Sequence, residues 1–266
     1  MWLTELFAKR KTVIGMVHLK ALPGTPLYDE SAGMDGVLGA AEHDLVALQD
    51  GGIDGVMFCN ENDRPYLLAA TTAEVAAMSA VVGALKSQIK VPFGVDILWD
   101  ATATISVACA TGASFAREVF TGTYASNMGL WSPDAGAALR HRKNISAIGV
   151  RLLFNINAEF ASPLGSRPLE EVARSVAFGC LPDALCVSGS MTGHEVDLSA
   201  LEKVKRVAGG VPVFANTGVR ADNVERYLSV ADGAIVGTAL KVGGITWNPV
   251  DKSRVQALMA AARRAT

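Results

Sequence analysis

The chain has 266 residues, of which 50% are hydrophobic and 19% charged, and its formal net charge is −2 at pH 7. This composition supplies a sizeable core and excludes a disordered chain. The small net charge gives no reason to expect a nucleic acid or an anionic membrane surface as partner, although it allows a small anion held by local donors.

The first residues, MWLTELFAKRK, are amphipathic but lack the apolar segment of a signal peptide. No stretch reaches the roughly 18 apolar residues that a membrane span requires. The four cysteines show no CxxC spacing and lie in hydrophobic runs. These features predict a reduced, cytoplasmic protein without a membrane span.

Eight short apolar runs of strand length follow one another along the chain, with helical segments between them. They cover residues 13–18, 53–59, 91–97, 114–120, 150–156, 183–189, 211–217 and 232–238. Strands buried on both faces give continuous apolar runs, and their alternation with helices predicts a parallel sheet. We therefore predict an α/β protein with a single (β/α)8 TIM-barrel domain over residues 1–266. An open doubly wound sheet is the alternative, but no GxGxxG-like turn follows the first run.

A weak internal repeat supports the closed barrel. Every second strand opens with a polar residue followed by a small or apolar one, at Asp54-Gly55, Ser114-Phe115, Asp183-Ala184 and Asp232-Gly233. Phe115 is the imperfect member of the set. A two-strand period is expected where alternate strands fill the interior layers of a barrel.

Polar residues gather where the predicted strands end, which is where barrel enzymes carry their functional groups. The catalytic candidates are His18, Asp96, Arg117, Glu118, Asn155 and Asn157. The candidates for substrate-binding loops are Glu61, Thr121, Gly122 and Ser188. Glu159 and Thr192 also follow strand ends, without an assigned role. Because buried carboxylates are costly unless they are paired, this distribution favours an active-site rim over a structural role.

Asp96 and Glu118 end adjacent strands, so we expect their carboxyl groups to lie near each other. One would act as base while the other stays acidic. Arg117 points to the opposite side of its strand from Glu118 and need not neutralise it. Arg117 is expected to orient substrate hydroxyls or stabilise developing charge, together with Asn155 and Asn157.

His18 is a further candidate for acid–base chemistry, and a hydrogen-bonded structural histidine is the alternative. For the carboxyl groups of Asp96, Glu118 and Glu61, the alternative to acid–base chemistry is to bind a divalent cation between them. No HxH or HExxH spacing supports a transition metal. We expect neither a metal nor another cofactor.

The last two predicted strands end in small, amide-rich turns. The seventh ends in Asn216-Thr217-Gly218 and the eighth in Gly237-Thr238. Phosphate sites in such barrels are frequently built from these two loops, and glycine lets backbone N–H groups approach the ligand. Ordinary turns are the alternative. Because both turns occur at the two expected places, we predict that they bind the phosphate of a small phosphorylated ligand.

Several motifs together resemble the BtpA/SgcQ family over nearly the whole chain. They are VIGMVHLKALPGTP, TGTYASNMGL, SPLGSRPLEEVARS, DALCVSGSMTG and NTGVRADNVERYLSVADGAIVGTALKVGG. The resemblance implies a TIM barrel of the ribulose-phosphate-binding type, related in architecture to phosphoribosylanthranilate isomerase and the tryptophan synthase α subunit. One branch of the family is linked to photosystem I biogenesis and another to sugar-related operons as nucleosidases.

The family pattern supports some of the candidates residue by residue. They are His18, Arg117, Thr121-Gly122, Gly218 and Gly237-Thr238. The chain departs from the pattern at Asp96 and Glu118, where Asn is expected, and the stretch NINAEF lacks a basic, histidine-bearing run. The resemblance therefore does not imply a shared substrate.

Two functions follow as hypotheses. The first is an enzyme that acts on a small phosphorylated sugar or nucleoside-like compound, by isomerisation or by C–C or C–N bond cleavage. Chemistry like that of phosphoribosylanthranilate isomerase is one variant. The second is a non-catalytic assembly or stability factor of the BtpA type. Homo-oligomerisation is expected for this class of barrel.

Overall fold

The computed structural model describes residues 2–9 and 11–265. Its strands are β1 (Thr12–His18), β2 (Gly55–Cys59), β3 (Phe93–Asp96), β4 (Phe115–Glu118), β5 (Tyr124–Ser126), β6 (Gly129–Trp131), β7 (Arg151–Asn155), β8 (Ala161–Pro163), β9 (Ala184–Val187), β10 (Val213–Ala215) and β11 (Gly233–Val236). All except β5, β6 and β8 form a closed parallel barrel in chain order, in which β11 pairs with β1. The predicted (β/α)8 barrel is confirmed, with all eight strands inside the predicted runs or within a residue of them.

The helices alternate with the barrel strands. They are α1 (Trp2–Phe7), α2 (Gly33–Asp50), α3 (Thr72–Leu85), α4 (Ala101–Thr111), α5 (Ala135–Asn144), α6 (Leu169–Gly179), α7 (Leu198–Val207), α8 (Val224–Val230) and α9 (Lys252–Ala262). Side chains accept otherwise unpaired backbone N–H groups at the start of five of them, and these are Thr71, Asp100, Asp134, Asp197 and Asp251. Within the described ranges, no helix is long and apolar enough to cross a bilayer.

The amino end of the barrel is closed by α1. Phe7 packs inside, with its ring centroid 6.0 Å from that of Phe115. Trp2 donates its indole N–H to the backbone oxygen of Asp183 at 2.8 Å. The amphipathic start of the chain therefore completes the interior core and leaves the carboxyl end of the barrel for a ligand.

The repeated aspartates have a structural role at the amino end. Asp54, Asp183 and Asp232 each accept a backbone N–H from the barrel strand that precedes them. The donors are Val13 at 2.9 Å, Leu152 at 2.9 Å and Val213 at 2.8 Å. Each carboxylate therefore joins two adjacent strands where their pairing begins, which explains the two-strand period.

Replacing Asp54 with alanine is expected to lower the free energy of unfolding by about 2 kcal/mol, because the N–H of Val13 loses its acceptor in a buried setting. The carboxylate also pairs with Lys9, and its side chain is only 5% exposed. Asp54→Asn keeps an acceptor oxygen and should lose less. Urea denaturation of the three proteins measures the difference, and equal midpoints for D54A and wild type would contradict this role.

Candidate functional site

A cavity of about 210 Å³ opens at the carboxyl end of the barrel. Backbone from the loops after β10 and β11 forms one side of it. An apolar wall of Leu98, Trp99 and Phe160 forms another, and two carboxyl groups, Glu61 and Glu159, lie on its surface. The cavity thus combines a glycine-rich side, an acidic part and an aromatic wall.

All five residues predicted to bind phosphate line this cavity. They are Asn216, Thr217, Gly218, Gly237 and Thr238. Gly193 and Gly244 line it as well. The turns after β10 and β11 therefore face the same space, as a shared anion would require.

Two guanidinium groups accompany these turns. Arg220 donates to Glu195 at 2.5 Å and to Asp222 at 3.2 Å, so its charge is already partly compensated. Arg254, from α9, donates its Nε–H to the backbone oxygen of Ala239 at 2.8 Å. Arg254 forms no salt bridge within residues 2–9 and 11–265, and its charge is therefore available to a ligand.

The two glycines of the turns are required by close packing. Gly218 has φ +66°, and a Cβ there would lie 2.4 Å from backbone atoms of Glu195. A Cβ on Gly237 would lie 2.8 Å from Cε1 of His18. Gly218 is thus explained by turn geometry even without a ligand, whereas Gly237 makes room for the imidazole in the cavity wall.

The polar network beneath the cavity is centred on Arg117. Its Nε donates to Oδ2 of Asp96 at 2.9 Å, its Nη2 donates to the same oxygen, and its Nη1 donates to Oδ1 of Asn216 at 2.7 Å. Asn216 donates in turn to Oγ of Ser188 at 2.8 Å. Burial disfavours the charged guanidinium, but Asp96, Cys59 and Glu159 together outweigh that effect and the pKa of Arg117 is raised.

Asp96 and Glu118 are both buried, and one carboxyl oxygen of each, Oδ1 of Asp96 and Oε1 of Glu118, has no hydrogen-bond partner among the described residues. Burial, and then the charge of Asp96, raise the pKa of Glu118 well above its ordinary value. Burial also raises the pKa of Asp96, while Arg117 opposes that effect. Of the two carboxyl groups, Glu118 therefore binds a proton more readily, while the neighbouring guanidinium favours the ionised form of Asp96. Neither is among the residues that line the cavity; Asp96 holds Arg117 from behind, and Glu118 accepts the backbone N–H of Val119.

Glu61 and Glu159 are the carboxyl groups that line the cavity. The Thr192 hydroxyl lies between them, 3.0 Å from Oε1 of Glu61 and 3.2 Å from Oε2 of Glu159. Burial raises the pKa of Glu159 to about 7 and also raises that of Glu61. Burial lowers the pKa of His18 well below its ordinary value, so the imidazole is neutral. Proton transfer at neutral pH is therefore best suited to the two glutamates.

The remaining candidates lie around the cavity without lining it. Asn157 donates to the backbone oxygen of Ser188 at 2.6 Å and accepts its N–H at 2.9 Å, which ties the ends of β7 and β9 together. Asn155 is buried, and its Oδ1 has no hydrogen-bond partner among the described residues. Thr121 and Gly122 begin the loop that leads to β5, away from the cavity. In the described ranges, no three His, Cys, Asp or Glu side chains are grouped to hold a metal ion.

A small antiparallel sheet, in the order β6-β5-β8, joins the loops after β4 and β7. Tyr124 of β5 and Trp131 of β6 have buried side chains. The ring of Trp131 lies 5.4 Å from that of Trp99, centroid to centroid. The sheet thereby supports the aromatic wall of the cavity.

A closed (β/α)8 barrel with a polar cavity at its carboxyl end defines the chain as a TIM-barrel protein. The sequence model of the BtpA family matches residues 9–264, and the chain belongs to this family. It is 46% identical to the putative sgc region protein SgcQ of Escherichia coli K12, over 97% of this chain and 96% of that protein. It is 33% identical to the photosystem I biogenesis protein BtpA of Synechocystis sp. PCC 6803, over 97% of this chain and 90% of that protein.

Solved structures with low sequence identity share the fold. Phosphoribosyl anthranilate isomerase from Thermus thermophilus has a TM-score of 0.56 at 12% identity, over 96% of this chain and 100% of that chain. The geranylgeranylglyceryl phosphate synthase of Thermoplasma acidophilum, in complex with sn-glycerol-1-phosphate, has a TM-score of 0.57 at 15% identity, over 98% and 97% of the two chains. These likenesses are evidence for the barrel alone.

Proposed function

We propose that the protein is an enzyme acting on a small phosphorylated sugar or nucleoside-like substrate, by isomerase or by lyase or nucleosidase-type chemistry. The phosphate lies between the turns after β10 and β11, and the reacting atoms lie towards Glu61 and Glu159. The observation that carries the proposal is Arg254, a guanidinium that lines the same cavity as both turns and forms no salt bridge within residues 2–9 and 11–265.

Two features of the fold neighbours support this ligand class. One neighbour is named for a phosphoribosyl substrate, and another was crystallised with sn-glycerol-1-phosphate. Phosphate sites of (β/α)8 barrels are frequently formed by the loops after the seventh and eighth strands, which are β10 and β11 in this chain. The proposed phosphate site rests on this general geometry and on the charge of Arg254, which forms no salt bridge among the described residues.

In this proposal the residues predicted to be catalytic have roles that differ from those expected from the sequence. Arg117 and Asn216 line the cavity and orient the substrate, while Asp96 holds the guanidinium of Arg117 in place and Glu118 has no direct part in the reaction. The carboxyl groups that meet the substrate are Glu61 and Glu159. No cofactor enters the proposed reaction.

Replacing Arg254 with alanine is expected to weaken phosphate-ester binding at least tenfold, since a hydrogen bond to a charged group contributes about 1.5–3 kcal/mol. The control is Lys252→Ala on the same helix, because Lys252 pairs with Asp50 and lies outside the cavity. Calorimetric titration with inorganic phosphate, ribose 5-phosphate and glycerol 1-phosphate measures the affinities. Equal binding by R254A and wild type, or no binding by wild type, would contradict the proposal.

The name of the Synechocystis relative supports a second function, that of an assembly factor in photosystem biogenesis. A factor of that kind acts through its surface, so cavity variants such as R254A would leave its effect intact. Under the enzyme proposal the same variants impair the protein. Homo-oligomerisation stays a prediction, which light scattering coupled to size-exclusion chromatography measures.

A further inference from the structure

The Thr192 hydroxyl lies within hydrogen-bond distance of two carboxyl groups. The distances are 3.0 Å to Glu61 Oε1 and 3.2 Å to Glu159 Oε2. A hydroxyl has one proton to donate and lone pairs to accept. It can therefore donate to only one of the two carboxyl groups. The second contact is a hydrogen bond only if the other carboxyl carries a proton and donates it to Thr192 Oγ1.

Burial of the two glutamates also favours one bound proton. The titratable and charged groups that act on the two glutamates from neighbouring segments are Cys59, Tyr66, Asp96, Arg117 and Lys241. His18, Arg220 and Arg254 line the same cavity. Arg117 already forms an ion pair with Asp96, and Lys241 forms one with Asp44. Burial raises the pKa of Glu159 to about 7. Arg117 lowers the pKa of both glutamates, but burial has the larger effect and raises the pKa of each.

Glu61 and Glu159 face the cavity in which the substrate is proposed to bind. Glu61, Glu159 and His18 line the same cavity. His18 is 8% exposed, and its Nδ1 has no hydrogen-bond partner in the part of the chain that the structure describes. A substrate in the cavity would therefore lie beside both glutamates and the imidazole.

We infer that Glu61, Thr192 and Glu159 form a proton relay in which the two carboxyl groups share one proton through the threonine hydroxyl. One glutamate acts as base and the other as acid on the same substrate. The inference rests on the proposed function and narrows its chemistry to a proton-transfer isomerisation that consumes no proton overall.

Each step conserves protons. At rest Glu159 is protonated and donates to Thr192 Oγ1, while Thr192 donates to ionised Glu61. Glu61 removes a proton from the substrate, and the electron pair left on the substrate takes up the proton of Glu159 at a second atom. Glu61 is then protonated and Glu159 ionised. The proton of Glu61 passes to Thr192 Oγ1 as the hydroxyl proton passes to Glu159, which restores the resting state.

The relay is tested in the ligand-free, full-length chain by NMR titration of glutamates labelled with ¹³C at the side-chain carboxyl, with E61Q and E159Q to assign the resonances. In wild type and in Thr192→Ser, which keeps the hydroxyl, the two resonances are expected to shift in the same two pH steps, as coupled groups do. In Thr192→Val the charge interaction between the carboxyl groups remains, but the two pH steps are expected to lie closer together, because no hydroxyl stabilises the singly protonated pair. Identical curves for T192V and wild type overturn the relay, as do two glutamates that ionise together in one acidic step.

A second variant keeps the test decisive if T192V fails to fold. In Glu61→Gln the remaining carboxyl, Glu159, is expected to titrate in one step at a lower pH than in wild type, because the neighbouring negative charge is gone. An unchanged Glu159 titration in E61Q overturns the relay. These measurements use no phosphate. The test of phosphate binding with R254A and the test of glutamate coupling are therefore independent of each other.

Discussion

Replacing Arg117 with leucine is expected to lower the free energy of unfolding by about 3–5 kcal/mol at pH 8, because removing one member of a buried ion pair leaves the other uncompensated. The guanidinium is the only group that neutralises Asp96 in the described network, and the Asp96 side chain is fully buried. Asn216 loses its donor as well. The loss should be smaller at pH 5, because Asp96 without its partner takes up a proton more readily.

Chemical denaturation at the two pH values measures this effect. The matched control is Lys252→Leu, which removes a cation from an exposed pair with Asp50 and is expected to change stability by no more than about 1 kcal/mol. A second control is the double variant R117L/D96N, in which the uncompensated charge is absent and part of the loss is recovered. If R117L loses no more unfolding free energy than K252L, the network of Arg117 does not stabilise the carboxyl end of the barrel.

The barrel could be predicted from the sequence because its physical signals are local. A strand covered on both faces must be apolar throughout, so runs such as residues 150–156 and 211–217 are visible without knowledge of their partners. The repeated aspartates were also visible, although their role appeared only with the structure. The small sheet of β5, β6 and β8 could not be predicted, since it pairs segments from two different loops.

The site could be predicted only in part. The turns after β10 and β11 follow directly from strand order, and their residues lie together in the cavity. Which carboxyl groups face that cavity depends on how the chain leaves each strand. Asp96 and Glu118 lie on the strands themselves, whereas Glu61 and Glu159 lie in the loops beyond and reach the open space. No pattern of residue types distinguishes these two positions.

Arg254 had no signal in the sequence. It lies on α9, and the sequence pattern there is typical of an ordinary outer helix. It reaches the cavity because the segment between β11 and α9 runs across the carboxyl end of the barrel, where Lys241 pairs with Val250. The same segment buries Lys241 against Asp44, so the lysine is held away from the predicted anion. Long-range packing of this kind decides which cation meets the ligand.

The stability of the protein is expected to fall as the pH rises from about 4.5 to about 7, and Glu159 should account for about 3 kcal/mol of that fall. Burial raises the pKa of Glu159 from an ordinary value of 4.5 to about 7. Between these values the folded protein keeps a proton that the unfolded chain releases. Raising the pH therefore favours unfolding, by about 1.4 kcal/mol per pH unit for one such group.

Glu159→Gln removes this contribution while it keeps the size of the side chain. The difference in unfolding free energy between wild type and E159Q, measured by urea denaturation from pH 4.5 to 8, reports Glu159 together with its coupling to Glu61, because the other buried acids remain in both proteins. Wild type should lose stability relative to E159Q as the pH rises, and the difference should level off above about pH 7. Glu171→Gln, at an exposed position on α6, is the control and should follow wild type. A constant difference between wild type and E159Q would mean that Glu159 is ionised throughout, and the acid required for proton donation would then have to be another group.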